Sequence, residues 1–243
     1  MKTKILDVSF HNISLDEASK TAVSFLNHNT QSTIFTPNPE MMMLARRDSQ
    51  FMEILNSGNL VVPDGIGIVY ASRLTKNKIR KRVPGIDLVA AVFEQIKNSE
   101  HSVFFLGAAP GVAQAAADAA QTRFPGLRIA GTHHGFFTDA DDDEIINKIN
   151  ATRADILLVG LGFPRQEKWI ARHKCRLNCK ILMGVGGSFD VLSGKVPRAP
   201  KLFQKLGLEW LFRLLRQPKR IWRQRVLVKF ALLVLYKKLR GEL

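Results

Sequence analysis

What most constrains the fold is a repeating rhythm. A short β-rich apolar run leads into a turn punctuated by glycine or proline, and a helix-like segment follows. "HSVFFLGAAPGVAQAAADAAQTRF" (101–124) passes from such a run through a glycine turn into an alanine-rich helix. "STIFTPNPEMMMLARR" (32–47), "VVPDGIGIVYASR" (61–73) and "ADILLVGLGFPRQEKWIARH" (154–173) repeat the pattern. "LRIAGTHHGFF" (127–137) ends a strand in a loop, "DADDDEIINKINAT" (139–152) is a helix with acids in its first turn, and "KILMGVGGSFDVLSG" (180–194) closes the series. Strands that alternate with helices build a parallel sheet covered on both faces. The expected class is therefore α/β: a Rossmann-like, doubly wound, mostly parallel sheet sandwiched by helices. Such sheets take ligands outside the carboxyl ends of their strands.

The rhythm stops near residue 195, and there the charge changes too. Of 36 Lys and Arg residues, 14 lie from Lys195 onward, beside only two of the 21 acids, Glu209 and Glu242. The tail thus carries +12 of the net +15. We expect residues 1–194 to form an α/β core and 195–243 a basic, amphipathic, helical appendage. Arg213, Arg216, Arg220 and Arg223 follow at helical spacing, interrupted at Pro218, and Trp210, Phe212, Trp222 and Phe230 lie among them. Aromatic and basic residues together suit an anionic membrane surface. "VLVKFALLVLY" (226–236) is too short to span a bilayer, which takes about 20 apolar residues. No nucleic-acid-binding motif accompanies the charge, so no nucleic-acid partner is expected. The first 20 residues lack the apolar segment of a secretory leader, and Cys175 and Cys179 lack a zinc spacing. Both points favour reduced thiols and a cytoplasmic setting.

The polar residues gather at the turns. Asp64 stands between an apolar run and two glycines, where it fits either a helix cap or a base at a pocket mouth. Thr36 and Asn38 flank Pro37 in a rigid turn, and Arg82 precedes a helix where a guanidinium could clamp a phosphate. "FLGAAPG" offers the backbone amides of a helix start, with Gly107 first. "GVGGSFD" sets Gly186 and Gly187 before Asp190, which fits a ligand contact or a cap. Gln166 fits an amide presented to a sugar hydroxyl or a phosphate, with surface exposure as its default, while Glu167 in a helical first turn reads as structural. Asp139, Asp141 and Asp143 have the spacing of a metal-binding acidic pair, but they sit at a helix start after Thr138, where acids cap and favour the dipole. We expect no metal there. His133 and His134 have no nucleophile partner at a motif spacing.

Taken together, "TPNPEMMMLA", "VVPDGIGIVYASR", "RVPGIDL", "FFLGAAPG", "GLGFPRQEKW", "GVGGSFDVLSGKVPRAP" and "GLEWLFRLLRQPKRIWRQ" resemble the bacterial TagA/WecG/CpsF glycosyltransferase family. The match runs in order from about residue 34 to 225. The resemblance implies an inverting, metal-independent transfer with no cofactor, from a UDP-sugar donor to a polyprenyl-diphosphate-linked sugar. N-acetylmannosamine moved onto undecaprenyl-diphosphate-GlcNAc, as in teichoic-acid linkage-unit synthesis, is the best-fitting reaction. The setting implied is the inner face of the plasma membrane, peripherally bound. By motif, Asp64 would be the base, with Thr36, Asn38, Arg82 and Gln166 lining its pocket. Asp190, Phe136, Gly107, Gly186 and Gly187 would hold UDP, with Phe136 standing where the family often has tyrosine. Arg213, Arg220 and Arg223 would meet the lipid diphosphate or membrane. A uronic-acid or glucose-type donor, a dinucleotide-dependent oxidoreductase and a non-catalytic nucleotide-sugar sensor stay open as alternatives, as does homo-oligomerisation. The oxidoreductase would need the full G-x-G-x-x-G fingerprint, which is absent.

Overall fold

The chain begins with an antiparallel hairpin, β1 (Lys2–Ile5) and β2 (Val8–His11), which the turn signals of the sequence did not announce. Its tight turn is Leu6–Asp7, both at positive φ (44° and 71°). The two residues adopt the mirror-image turn that matches strand twist without the usual Asn-Gly. The structure is a computed structural model and describes residues 2–28, 30–216 and 221–242. After α1 (Leu15–Ser24) come β3 (Ser32–Phe35), α2 (Pro39–Ala45), α3 (Ser49–Asn56), β4 (Leu60–Val61), α4 (Ile66–Ser72) and α5 (Gly85–Ile96). The strand–helix alternation continues with β5 (Ser102–Gly107), α6 (Val112–Arg123), β6 (Arg128–His133), α7 (Asp142–Ala151), β7 (Ile156–Gly160), α8 (Arg165–His173), β8 (Ile181–Gly184) and α9 (Ser188–Leu192). Three helices follow without strands: α10 (Lys201–Lys205), α11 (Glu209–Arg216) and α12 (Ile221–Leu239).

Helix starts are marked by the residues that satisfy exposed amides. Ser14 and Glu17 exchange bonds at α1, with Ser14 N donating to Glu17 Oε2 at 2.7 Å and Glu17 N to Ser14 Oγ at 3.2 Å. Asp48 Oδ1 accepts from Phe51 N at 2.9 Å to open α3.

Strands β3 to β8 form one six-stranded sheet in the order β4-β3-β8-β7-β5-β6, every neighbouring pair parallel. Alternation along each strand divides the core in two. Val103, Phe105, Ile156, Leu158, Ile181 and Met183 face α1, α5, α6 and α9. Phe104, Leu106, Leu157, Val159 and Leu182 face the hairpin, α2, α3, α4, α7 and α8. The second face also receives α12, whose Phe230 and Val234 are buried against α2 and α4. The remainder of α12 leaves Val228, Leu232, Leu235, Tyr236 and Leu239 exposed. Among the described residues, no helix is long and apolar enough to cross a membrane. The four arginines that share a helical spacing do not share one helix: Arg213 and Arg216 belong to α11 and Arg223 to α12, while Arg220 lies outside the described residues. Of Arg213 and Arg223, only the helical placement is described.

Candidate active site

Strand β5 leads through α6 to β6 at one edge, whereas β7 leads through α8 to β8 in the opposite direction. Helices α6 and α8 cover opposite faces, so a crevice opens beyond the carboxyl ends of β5 and β7. Glycines let the backbones close on one another there. A Cβ on Gly107, whose φ is +142°, would lie 2.4 Å from the Gly160 carbonyl oxygen. One on Gly160 would lie 2.9 Å from the Phe189 ring and 3.0 Å from the Gly186 carbonyl oxygen. A side chain at either position would collide with neighbouring backbone or with the Phe189 ring, so glycine is what lets these strand ends approach so closely.

At the other end of the sheet, the turns after β3 and β4 meet. Asp64 N donates to Pro37 O at 3.0 Å, and Val83 N donates to Pro63 O at 2.8 Å, which brings Arg82 alongside. The N-cap of α4 is Gly65, at φ +112°, so Asp64 does not cap the helix that follows it. Its Oδ2 instead accepts from Gly85 N, 3.3 Å away at the start of α5. A helix start favours an ionised carboxylate, and Asp64 remains half-exposed to solvent. Thr36 lies beside it: a Cβ on Gly85 would come within 2.9 Å of Thr36 Oγ1. Asn38 caps α2, its Oδ1 accepting from Met41 N at 3.0 Å, with Pro39 in the first turn. Thr36, Asn38, Asp64 and Arg82 therefore converge on one corner of the sheet's carboxyl edge.

The appendage closes on that corner. Arg82 NH2 donates to Gln204 O at 2.7 Å, and NH1 pairs with Glu209 Oε2 at the start of α11. Arg198 bridges Glu209 (3.7 Å) and Asp87 in the first turn of α5 (2.6 Å). These side chains are mostly screened from water: Arg82 and Glu209 are 17% and 14% exposed. A Cβ on Gly207 would touch Ile66 of α4 at 2.8 Å, so the α10–α11 turn lies directly on the helix after Asp64. Sequence reasoning passed over Asp87, Arg198 and Glu209. A signal was present, because Glu209 is one of only two acids in a tail of 14 cations.

The β7–α8 turn reverses two expectations. Gln166 is buried, not exposed, and both ends of its carboxamide are engaged: Oε1 accepts from Gly186 N at 2.9 Å, and Nε2 donates to Glu167 Oε1 at 2.7 Å. Glu167 is buried too, and its Oε2 has no hydrogen-bond partner among the described residues. Burial pushes its carboxyl up to about 7, partly offset by the Gln166 bond. It is more than a surface acid answering a helix dipole. Arg165, from the same turn, donates to Gly135 O (2.9 Å) and Phe137 O (2.5 Å).

Between those two carbonyls, Phe136 is 71% exposed at the end of β6. Across the crevice, Gly186 (φ +52°) and Gly187 turn the chain into α9, and half-exposed Asp190 stands in its first turn, where Gly187 is the N-cap. The acidic run is committed locally. Asp141 forms a capping box with Thr138, Asp139 and Asp143 pair with Arg172 and Arg176, and Asp142 accepts from Trp169 Nε1 and bonds His173. Among the described residues, no three His, Cys, Asp or Glu side chains gather as a metal-ligand group. Cys179 is buried, its thiol pushed up to about 12, and Cys175 is exposed.

Comparison with known proteins agrees with this architecture. Residues 3–243 match the model of the glycosyl transferase WecG/TagA/CpsF family. The chain belongs to that family. It is 36% identical over 224 residues to the N-acetylglucosaminyldiphosphoundecaprenol N-acetyl-beta-D-mannosaminyltransferase of Staphylococcus aureus strain MRSA252, covering 91% of this chain and 87% of that one. The protein of the same name from strain MW2 is 35% identical over the same span. This member of the family is thus a glycosyltransferase whose candidate residues stand at the carboxyl ends of its sheet.

Proposed function

We propose that this glycosyltransferase moves N-acetylmannosamine from a UDP donor to a GlcNAc-diphosphoundecaprenol acceptor, with inversion and without a metal. The names of the relatives supply the sugar and the acceptor. The observation that carries the reaction is the corner where Asp64, Thr36, Asn38 and Arg82 meet at the mouth of the sheet.

In this reading, the acceptor hydroxyl gives its proton to the Asp64 carboxylate as its oxygen bonds to the anomeric carbon. The bond from that carbon to the donor phosphate breaks, and UDP leaves with the electron pair. Charge that builds on the departing diphosphate needs donors already in place. Arg82 supplies some, since a guanidinium carries five N–H groups, and among the described residues NH1 is engaged by Glu209 and NH2 by Gln204. The amides of the Gly107 and Gly186–Gly187 turns supply others, and Gln166 fixes the second turn from below. Phe136 and Asp190 hold the nucleoside. Because the acidic run at 139–143 is consumed by capping and ion pairs, cationic and amide donors take the part that a metal would otherwise play.

The exposed apolar side chains of α12 and the cations of the tail would rest the enzyme on an anionic membrane from the cytoplasmic side, where the lipid acceptor lies. Arg213, Arg220 and Arg223 would face the lipid diphosphate or headgroups. Residues 1–194 and 195–243 would then divide the labour, one holding the donor and the other bringing the acceptor.

The test is a panel of UDP-sugars against a polyprenyl-diphosphate-GlcNAc analogue. Product with UDP-N-acetylmannosamine is expected, and it should persist in a chelator. Product only with another donor would overturn the sugar, and no product with any donor would overturn the reaction.

A further inference from the structure

Phe136 is 71% exposed, but it does not sit in a loose loop. The carbonyl before it (Gly135) and the carbonyl after it (Phe137) are both held by the one guanidinium of Arg165, at 2.9 and 2.5 Å. Arg165 also lies over the Phe137 ring, 4.7 Å from its centre. Gly135 N donates to Ala108 O at 2.7 Å, and a Cβ on Gly135 would strike Leu161 at 2.8 Å and Ala108 N at 3.1 Å. The loop is therefore pinned at its main chain on both sides of the residue it exposes. A loop left to itself would fold a phenylalanine inward, because burial is favourable. Here hydrogen bonds hold the backbone in an arrangement that keeps the ring out, beside the Gly107–Gly111 turn.

We propose that Arg165 is a positioning residue for the donor: it holds the Phe136 ring as a platform on which the planar base of the nucleotide stacks. This rests on the reading of Phe136 as a donor contact, and it adds the residue that aims it. Stacking on an aromatic face is tolerant of base identity and sensitive to ring placement. A bidentate clamp on two carbonyls needs the planar fork of arginine, which the point charge of lysine does not reproduce.

The experiment is a double-mutant cycle on the full chain, reading UDP affinity by calorimetry and donor KM, acceptor KM and kcat by turnover. Phe136→Ala is expected to weaken UDP binding about tenfold or more, the loss typical of one stacked base. Arg165→Ala should do the same, Arg165→Lys should rescue little, and acceptor KM should stay unchanged. The deciding readout is the pair: Arg165→Ala/Phe136→Ala should bind UDP no more weakly than Phe136→Ala alone, because Arg165 acts through that ring. Amide exchange across residues 134–137 should rise in Arg165→Ala without any ligand, while the melting temperature moves little.

Effects that add, or an Arg165→Ala protein with unaltered UDP affinity, would overturn the proposal while leaving the function intact. A wild-type chain that binds neither UDP nor a UDP-sugar would overturn the donor reading itself, and the platform with it.

Discussion

Glu167 is 1% exposed and carries a carboxyl pushed up to about 7, so its ionisation is a strain on the folded state at neutral pH. In the folded protein the group holds its proton to higher pH than in the unfolded chain, where it titrates near 4.5. Its full contribution to stability is therefore present below 4.5 and is lost as pH rises through about 7. The loss at alkaline pH is about 3 kcal/mol, at about 1.4 kcal/mol per pH unit. Glu167→Gln keeps an acceptor for Gln166 and removes the charge, so it should melt roughly 5–10 °C above wild type at pH 8. The gap should narrow toward pH 5. A gap independent of pH would show that Glu167 is not the titrating group. None of this was legible in "GLGFPRQEKW", where an acid in a first turn is ordinary. What distinguishes Glu167 is the depth at which α8 packs, and depth depends on β8 and Gly184 from elsewhere in the chain. Asp64 is the contrasting case. Its two local readings, cap or base, were both visible, but the helix start that it meets is α5, 21 residues away.

At the scale of elements, the six parallel strands and the helices after all but the last were legible because each turn carried its own glycine or proline, whereas α9 after β8 was not read. The hairpin β1–β2 was not legible, because Leu6, a residue that rarely adopts positive φ, stands where glycine or asparagine would mark the turn, and Asp7 alone is a weak signal. Asn38 shows how one residue serves an element and a site at once. Asn38→Asp preserves the acceptor that caps α2 and removes the amide donor. It should therefore melt within about 1 kcal/mol of wild type but lose transfer, whereas Asn38→Ala should lose the cap as well, about 1 kcal/mol. If Asn38→Asp turns over normally, the residue is only a cap. Helix α11 is tied down by Glu209 on Arg82 and Arg198. Glu209→Ala should lower the exchange protection of amides 209–216 by about tenfold to a hundredfold, equivalent to about 1–3 kcal/mol for a charged, partly buried bond. Unchanged protection would mean that apolar contacts alone hold α11.

Across the whole molecule, the uneven charge was the clearest message of the composition, and the structure gives it a geometry. The tail is not a separate tether. Its α12 buries Phe230 and Val234 in the core, and its α10–α11 turn lies on Ile66, two residues after Asp64. The sequence of this stretch reads as two or three helices interrupted near Pro218, as found, but where they dock could not be read from it, because the contacts are with α2, α4 and Arg82 from far along the chain. If the exposed face of α12 meets lipid, Lys229→Glu/Lys238→Glu should weaken binding to vesicles containing anionic lipid by at least about tenfold, at roughly 1 kcal/mol per charge. Binding to neutral vesicles should not change. Equal binding of both proteins to anionic vesicles would count against the membrane role.

The central claim is that a carboxylate at residue 64 takes the acceptor proton in a sugar transfer from UDP. Asp64→Asn, assayed with UDP-N-acetylmannosamine and a polyprenyl-diphosphate-GlcNAc analogue while UDP affinity is measured in parallel, tests it most directly. The account predicts that kcat falls by at least about a hundredfold, the scale of general-base catalysis, with UDP binding within a factor of two or so of wild type. Turnover that survives the substitution would contradict it.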